Sequence, residues 1–182
     1  MKTILVPTDF SKNAHNACLY AIALAKKMKA NILLMHAFDT PLLFADVPIV
    51  TTDMDYAVFR EAAAKNLKKY FKRISTVTGN VKIELIIKSG LASAKISEIA
   101  LEKKADLIVM GTTGQGAIER MLIGSNTSRL IKDAPCMTLA IPPNAKYRDW
   151  KIHFEKHLSL LKHNFIILEW HAWPNYFKTT TK

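Results

Sequence analysis

The chain has 182 residues, a formal net charge of +11 from 26 Lys and Arg against 15 Asp and Glu, and 49% hydrophobic residues. This is the composition of a globular domain long enough to bury a core, and it excludes disordered, collagen-like and fibrous classes. The longest apolar runs, Ile32-Leu33-Leu34-Met35 and Leu107-Ile108-Val109-Met110, fall far short of the roughly 18–20 residues of a membrane span. Pro7 and Asp9 interrupt the first apolar run before a secretory leader core forms, so a cytoplasmic protein with no membrane partner is expected.

The elements follow in chain order. Lys2 to Pro7 is a short apolar run ending in Pro-Thr-Asp, as a fully buried strand ends. Ser11 is placed to cap a helix in which Ala14, Cys18, Ala21, Ile22, Ala25 and Met28 recur at three- and four-residue steps. Asn31 to Phe38 is a second buried strand. After an irregular stretch with Pro41 and Pro48, a long helix is expected from about Asp53 to Ser75. Val81 to Lys88 is the third strand, Gly90 breaks it, and a helix from about Ser93 to Lys103 follows. Asp106 to Met110 is the fourth strand, Ser125 to Lys132 a helix, and Cys136 to Ile141 the fifth strand.

Continuous apolar strands alternating with helices imply a parallel sheet covered on both faces, a doubly wound α/β fold. In such sheets ligands sit beyond the carboxyl ends of the strands, where the strand order reverses. The residues just after the first, second and fourth strands are therefore the candidates. Gly111 to Thr127 fits G-x2-G-x9-G-S, with glycines at 111, 114 and 124 and serine at 125. Glycines let a backbone approach a phosphate closely, and the amides opening the helix after Gly124 present positive dipole ends. Ser125 and Thr127 add hydroxyl donors. The loop lacks the Gly-Lys-Ser/Thr ending of a Walker A sequence, and it does not follow the first strand as a G-x-G-x-x-G would.

Together with Ile4-Leu5-Val6-Pro7-Thr8-Asp9-Phe10-Ser11, Leu33-Leu34-Met35-His36-Ala37, Ala105-Asp106-Leu107-Ile108-Val109-Met110-Gly111 and Ala134-Pro135-Cys136, this loop resembles the ATP-binding branch of the universal stress proteins. The resemblance spans Met1 to about Pro143. It implies a five-stranded Rossmann-like sheet of order 3-2-1-4-5, an adenine-nucleotide site for ATP with Mg2+ held mainly by the phosphates, and a homodimer. A nucleotide-dependent sensor or signalling role toward a protein partner follows from the same resemblance, with slow ATP hydrolysis at most. Carried over by position, Pro7, Thr8 and Asp9 line the adenine and ribose side, and Ala37 offers backbone to the base. Met110, Gly111 and Gly114 meet the ribose and phosphates, while Gly124, Ser125, Asn126 and Thr127 hold the phosphates. Thr8, Asp9 or Ser125 would assist the magnesium.

The departures are Thr112-Thr113 and Gln115, where many relatives carry Ser-His and a basic residue, which leaves one phosphate-facing positive charge unaccounted for. Arg120 is a candidate replacement. Cys136-Met137-Thr138 stands where Cys-Pro-Val is usual, a difference at the dimer edge. The alternative function is a member that binds no nucleotide and works through protein contacts.

Each singled-out residue also has a structural reading. Asp9 suits a helix cap as well as a ligand contact. His36 reads as a core or pocket-wall histidine, since no nucleophile with an orienting acid is assigned to it. Cys18 and Cys136, without a CxxC or Cys/His cluster, read as small buried residues of a reducing compartment. The basic excess looks diffuse: seven bases against three acids lie from Lys146 onward and the rest is spread over the body. Such an excess suits phosphate-bearing partners in general, or simply a solvated surface. Nucleic acid is disfavoured by the lack of a recognition motif or an aromatic-studded basic strand.

After Pro143 the composition changes, with all three Trp and four of the six His in 144–182. The expected domains are 1–143 and an atypical extension, 144–182. The extension reads either as a remnant of a second repeat or as a helix, Ile152 to Leu161, followed by an apolar segment, Phe165 to Trp173, that packs on the dimer. His153 and His157 stand one helical turn apart, spaced for a metal or merely solvated.

Overall fold

The computed structural model describes residues 2–39, 53–114, 124–143, 145 and 165–167. The first strand, β1 (Thr3–Pro7), leads into α1 (Lys12–Met28), and β2 (Asn31–Phe38) follows. Next come α2 (Asp53–Thr78), β3 (Ile83–Ser89), α3 (Ala92–Glu102), β4 (Leu107–Gly111), α4 (Ser125–Asp133), β5 (Met137–Ile141) and β6 (Phe165–Ile167). All strands are parallel, in the order β3-β2-β1-β4-β5-β6.

The strands are apolar throughout because both faces of the sheet are covered. Ile4 and Val6 of β1, Ile32 and Leu34 of β2, and Val109 of β4 pack under α1 and α2 with Cys18, Leu67, Tyr70 and Ile74. Leu5, Leu33, Met35 and Ile108 point the other way, toward Ile96 and Ile99 of α3 and Leu130 of α4. The alternation of period two thus feeds two cores from one apolar run.

Local chemistry explains the element ends. Ser11 caps α1, its hydroxyl accepting the Ala14 N–H at 3.1 Å. The second helix runs three residues past the expected Ser75, because Gly79 at φ 59° supplies the left-handed exit that stops it only there. The Val81 N–H is used in that exit, on the Thr78 carbonyl at 3.3 Å, so β3 starts at Ile83 rather than Val81.

The five-stranded order 3-2-1-4-5 is present as expected, and β6 adds a sixth strand beside β5, with Thr138 opposite Phe165 and Ala140 opposite Ile167. This strand comes from the start of the apolar segment read as packing on a dimer. The rest of that segment, the expected helix Ile152 to Leu161, and His153 and His157 lie outside the described residues, as does 115–123 with Gln115 and Arg120.

Candidate functional site

The chain order reverses between β1 and β4, and the loops leaving these two strands meet at their carboxyl ends. The β1–α1 loop is Thr8-Asp9-Phe10-Ser11. Asp9 folds it into a short turn by accepting the Ser11 N–H on Oδ1 at 3.0 Å, while Ser11 rather than Asp9 is the helix cap. Phe10 sits at φ 65°, a region costly for a residue with a side chain. It is held there by its ring, whose centroid is 4.4 Å from His36 and 5.7 Å from Tyr70, and by its N–H on Thr8 Oγ1 at 3.0 Å.

The β4–α4 loop is clasped at three points. The Gly124 N–H donates to the Thr112 carbonyl at 2.8 Å, and the Thr127 hydroxyl donates to the Gly111 carbonyl at 3.1 Å. From α1, Asn13 Nδ2 donates to the Thr113 carbonyl at 3.1 Å and to Thr113 Oγ1 at 3.0 Å. These contacts bring Gly111, Gly114, Gly124 and Thr127 together beside Asp9. A Cβ on Gly114 would lie 2.7 Å from Asp9 Oδ2, and one on Gly111 would lie 2.8 Å from Asn13 Nδ2. Glycine is needed at 111 for lack of room, whereas a Cβ at 114 would have to displace the Asp9 carboxylate.

The other expected residues fall around this centre. Thr8 is 5% exposed, and its backbone N–H bonds the Met35 carbonyl at 2.8 Å. Pro7 closes β1 opposite Met35, and Ala37 lies half-buried on β2 opposite Lys88. Met110 belongs to the α3–α4 core through its side chain, so only its backbone is available to a ligand. Ser125 is exposed and Asn126 half-buried in the first turn of α4. That turn contains no acid, and Gly124 offers no side chain to cap it, so its amides stay available to an anion.

His36 is a wall residue: Nδ1 is 2.8 Å from the Thr8 carbonyl, which can only accept, so Nδ1 carries the proton. Next to it, His15 Nδ1 lies 3.0 Å from the Tyr70 hydroxyl. Burial, helped by the positive charge of Arg73, holds the His15 imidazole below its ordinary value. Burial also pushes the Tyr70 phenol up, and raises the Cys18 thiol to about 11. Both cysteines are free, but Cys136 is only half-buried where the sequence suggested burial.

Two asparagines were not found from sequence. Asn13 is 7% exposed, and its Oδ1 has no hydrogen-bond partner among the described residues. One turn on, Asn16 Nδ2 donates to the carbonyls of Ala145 at 2.8 Å and Pro142 at 3.2 Å. Asn13 stands on the buried side of α1, where the three- and four-residue rhythm that singles out Ala14 and Cys18 also admits Ala17 and Tyr20, and Asn16 is half-buried.

A doubly wound parallel sheet with a glycine-bearing loop and a helix start at its switch point is the arrangement that this structure presents. The model of the universal stress protein family matches residues 1–142, and the chain belongs to that family. A universal stress protein of Methanocaldococcus jannaschii is 36% identical over 141 residues, covering 77% of this chain and 81% of the relative. The structure of universal stress protein UspA from Lactobacillus plantarum superposes with a TM-score of 0.64 at 26% identity, over 76% of this chain and 96% of that one. A universal stress protein solved in complex with cAMP has a TM-score of 0.52 over 79% of this chain and 98% of that one, and at 21% identity it shares the fold.

Proposed function

We propose that this chain binds ATP at the β1–β4 switch point and acts as a nucleotide-dependent sensor or signalling module of the stress response. The observation that carries the reading is the clasped β4–α4 loop. It puts a glycine hemmed in by Asn13, a second glycine against the Asp9 carboxylate, and an uncapped, acid-free helix start side by side. Such a surface admits phosphate oxygens to backbone N–H groups and gives them no competing carboxylate in the helix. The family and the cAMP complex of a fold neighbour support an adenine nucleotide.

Gly111, Gly114, Gly124, Ser125, Asn126 and Thr127 would hold the phosphates, and Pro7, Thr8, Asp9 and the backbone of Ala37 and Met110 the nucleoside side. A magnesium ion, neutralising phosphate charge, would be held mainly by the phosphates. Asp9 and Ser125 are better placed than Thr8 to assist it, because the Thr8 hydroxyl already takes the Phe10 N–H. The proposal extends to a cytoplasmic homodimer with a protein partner, built on the domain 1–143 with 144–182 as its extension.

The test is to denature purified protein, identify released small molecules by mass spectrometry, and titrate ATP into emptied protein by calorimetry. ATP release or micromolar binding is expected, abolished when Gly124 and Ser125 are both replaced by bulky residues in a variant that keeps its circular dichroism. An empty parent that ignores ATP, or a variant that binds as the parent does, refutes the reading.

A further inference from the structure

The basic excess that looks diffuse in sequence is sorted by the fold. On the α3 side of the sheet, acids and bases are interleaved and paired: Lys95–Glu98 at 2.6 Å, Lys103–Glu84 at 2.9 Å, and Lys88 with Glu98 at 3.4 Å and Glu102 at 3.6 Å. On the α1–α2 side, beyond the exposed Glu61 in the first half of α2, the signs are not interleaved in this way. No acid occurs between residues 10 and 38, nor between 62 and 83. In those stretches Lys26, Lys27, Lys29, Lys65, Lys68, Lys69, Lys72, Arg73 and Lys82 are all exposed.

Lys65, Lys68, Lys69 and Lys72 recur at steps of three and four along α2, so they crowd like charges on one helix. That arrangement is unfavourable to the isolated helix, and a merely solvated face interleaves signs, as the α3 side does. Lys26 and Lys27 complement the carbonyl end of α1, but that role does not account for Lys29, Lys82 or the α2 lysines. The ends of the two helices meet, with the Lys26 side chain 3.4 Å from the position a Cβ would take on Gly79. Beside them opens a cleft of about 470 Å³ lined by Lys26, Lys29, Lys82, Asn31 and Asn80, with no acid in its wall. It lies at the amino ends of β2 and β3, the end of the sheet opposite the switch point.

We propose that this face binds the phosphate backbone of double-stranded nucleic acid, independent of base sequence. The contact is separate from the nucleotide site and does not depend on it. Charge and composition together select the partner. An anionic membrane surface calls for apolar side chains among the basic ones, but the exposed Tyr56, Val58 and Phe59 stand at the start of α2, ahead of the lysine run, and between Arg60 and Lys82 the one exposed large apolar residue is Val77. A single strand calls for exposed aromatic platforms; the exposed Tyr56 and Phe59 precede the lysine run, and within it Tyr70 is buried and Phe71 is half-buried. What the surface does offer is point charges and the short donors Asn66, Thr76 and Asn80, all exposed, the side chains that grip phosphates without reading bases. From Arg60 to its end at Thr78, α2 spans roughly 28 Å at 1.5 Å per residue, the length of helix available to lie along a duplex.

The experiment measures fluorescence anisotropy of a labelled random-sequence DNA duplex of about 20 base pairs with the full chain across a range of salt. If about five phosphates are neutralised, log K falls against log salt with a slope near −4.5, which is about 500-fold weaker binding on going from about 50 to about 200 mM. Reversing Lys65, Lys69 and Lys72 to Glu leaves about two contacts, a slope near −2 and only about a 12-fold salt effect. A control with Lys95, Lys103 and Lys104 changed to Glu alters net charge equally and should bind as the parent does. The proposal falls if the duplex does not bind, if both triple variants lose binding alike, or if anionic vesicles or an unstructured single strand bind more tightly than the duplex through the same lysines. Each variant is checked by circular dichroism, and its ATP heat should match the parent's.

Discussion

Replacing Gly111 with Ala tests how the glycine loop is built. The new Cβ would stand 2.8 Å from Asn13 Nδ2, 2.9 Å from Asn13 Cγ and 3.2 Å from its backbone carbonyl carbon. The amide cannot swing aside freely, because Nδ2 is committed to both oxygens of Thr113 and the residue is buried in the first turns of α1. The glycine cannot retreat either: it is paired with Ile141 across β4 and β5, and the next N–H, of Thr112, donates to the Ile141 carbonyl at 3.0 Å. Overpacking of this kind costs about 1–3 kcal/mol, and disrupting the Asn13 bonds adds about 1 kcal/mol. A total of about 2–4 kcal/mol lowers the melting temperature of a chain this size by roughly 5–15 °C. Urea unfolding should show the loss as a lower midpoint at unchanged slope. In an Asn13→Ala background the clash with the amide is gone, so Gly111→Ala should cost at least about 1 kcal/mol less there, a coupling between neighbours. A Gly111→Ala protein as stable as its parent, or an equal cost in both backgrounds, refutes the claim that Asn13 clasps the loop.

Two further outcomes are expected. His15 is held below its ordinary value of 6.5 by burial and then by Arg73, so the unfolded chain binds its proton more readily than the folded one. Its contribution to stability is complete above pH 6.5 and lost as pH falls below that value, and urea midpoints of His15→Gln should fall less steeply over this acidic range than those of the parent. Burial raises both the Cys18 and the Cys136 thiols to about 11, so at pH 8 a disulfide reagent should label native protein slowly and denatured protein at both sites quickly; fast labelling of native Cys18 would show that α1 opens readily.

Much of this architecture could be read before any coordinates. The strands are short and apolar at every position, a pattern only a sheet covered on both sides accommodates, and β2 has the bounds expected of it. Cap chemistry was equally local: Ser11 acts as a single residue upon an N–H three positions ahead. The glycine spacing marked the site because lack of room for a Cβ is a property that sequence records directly. Asn13 and Asn16 escaped notice because an asparagine in a helix has many uses, and what distinguishes these two is which loops lie above them, 100 and 129 residues away.

What the sequence determined by itself is what neighbours along the chain decide: the strand and helix alternation, the capped start of α1, and the glycines of the loop after β4. The tertiary structure alone decided what depends on elements meeting in space. It set Asp9 against Gly114, placed β6 on the edge of β5, and tied both exit loops to one helix through two amides. It also turned an even scatter of lysines into two unlike faces: charges pair across α3 and β3, whereas α1 and the part of α2 beyond Glu61 carry bases with no acid among them. Periodicity records which side of an element is buried, whereas side chains far apart in sequence become neighbours only once the sheet sets the distance between its helices.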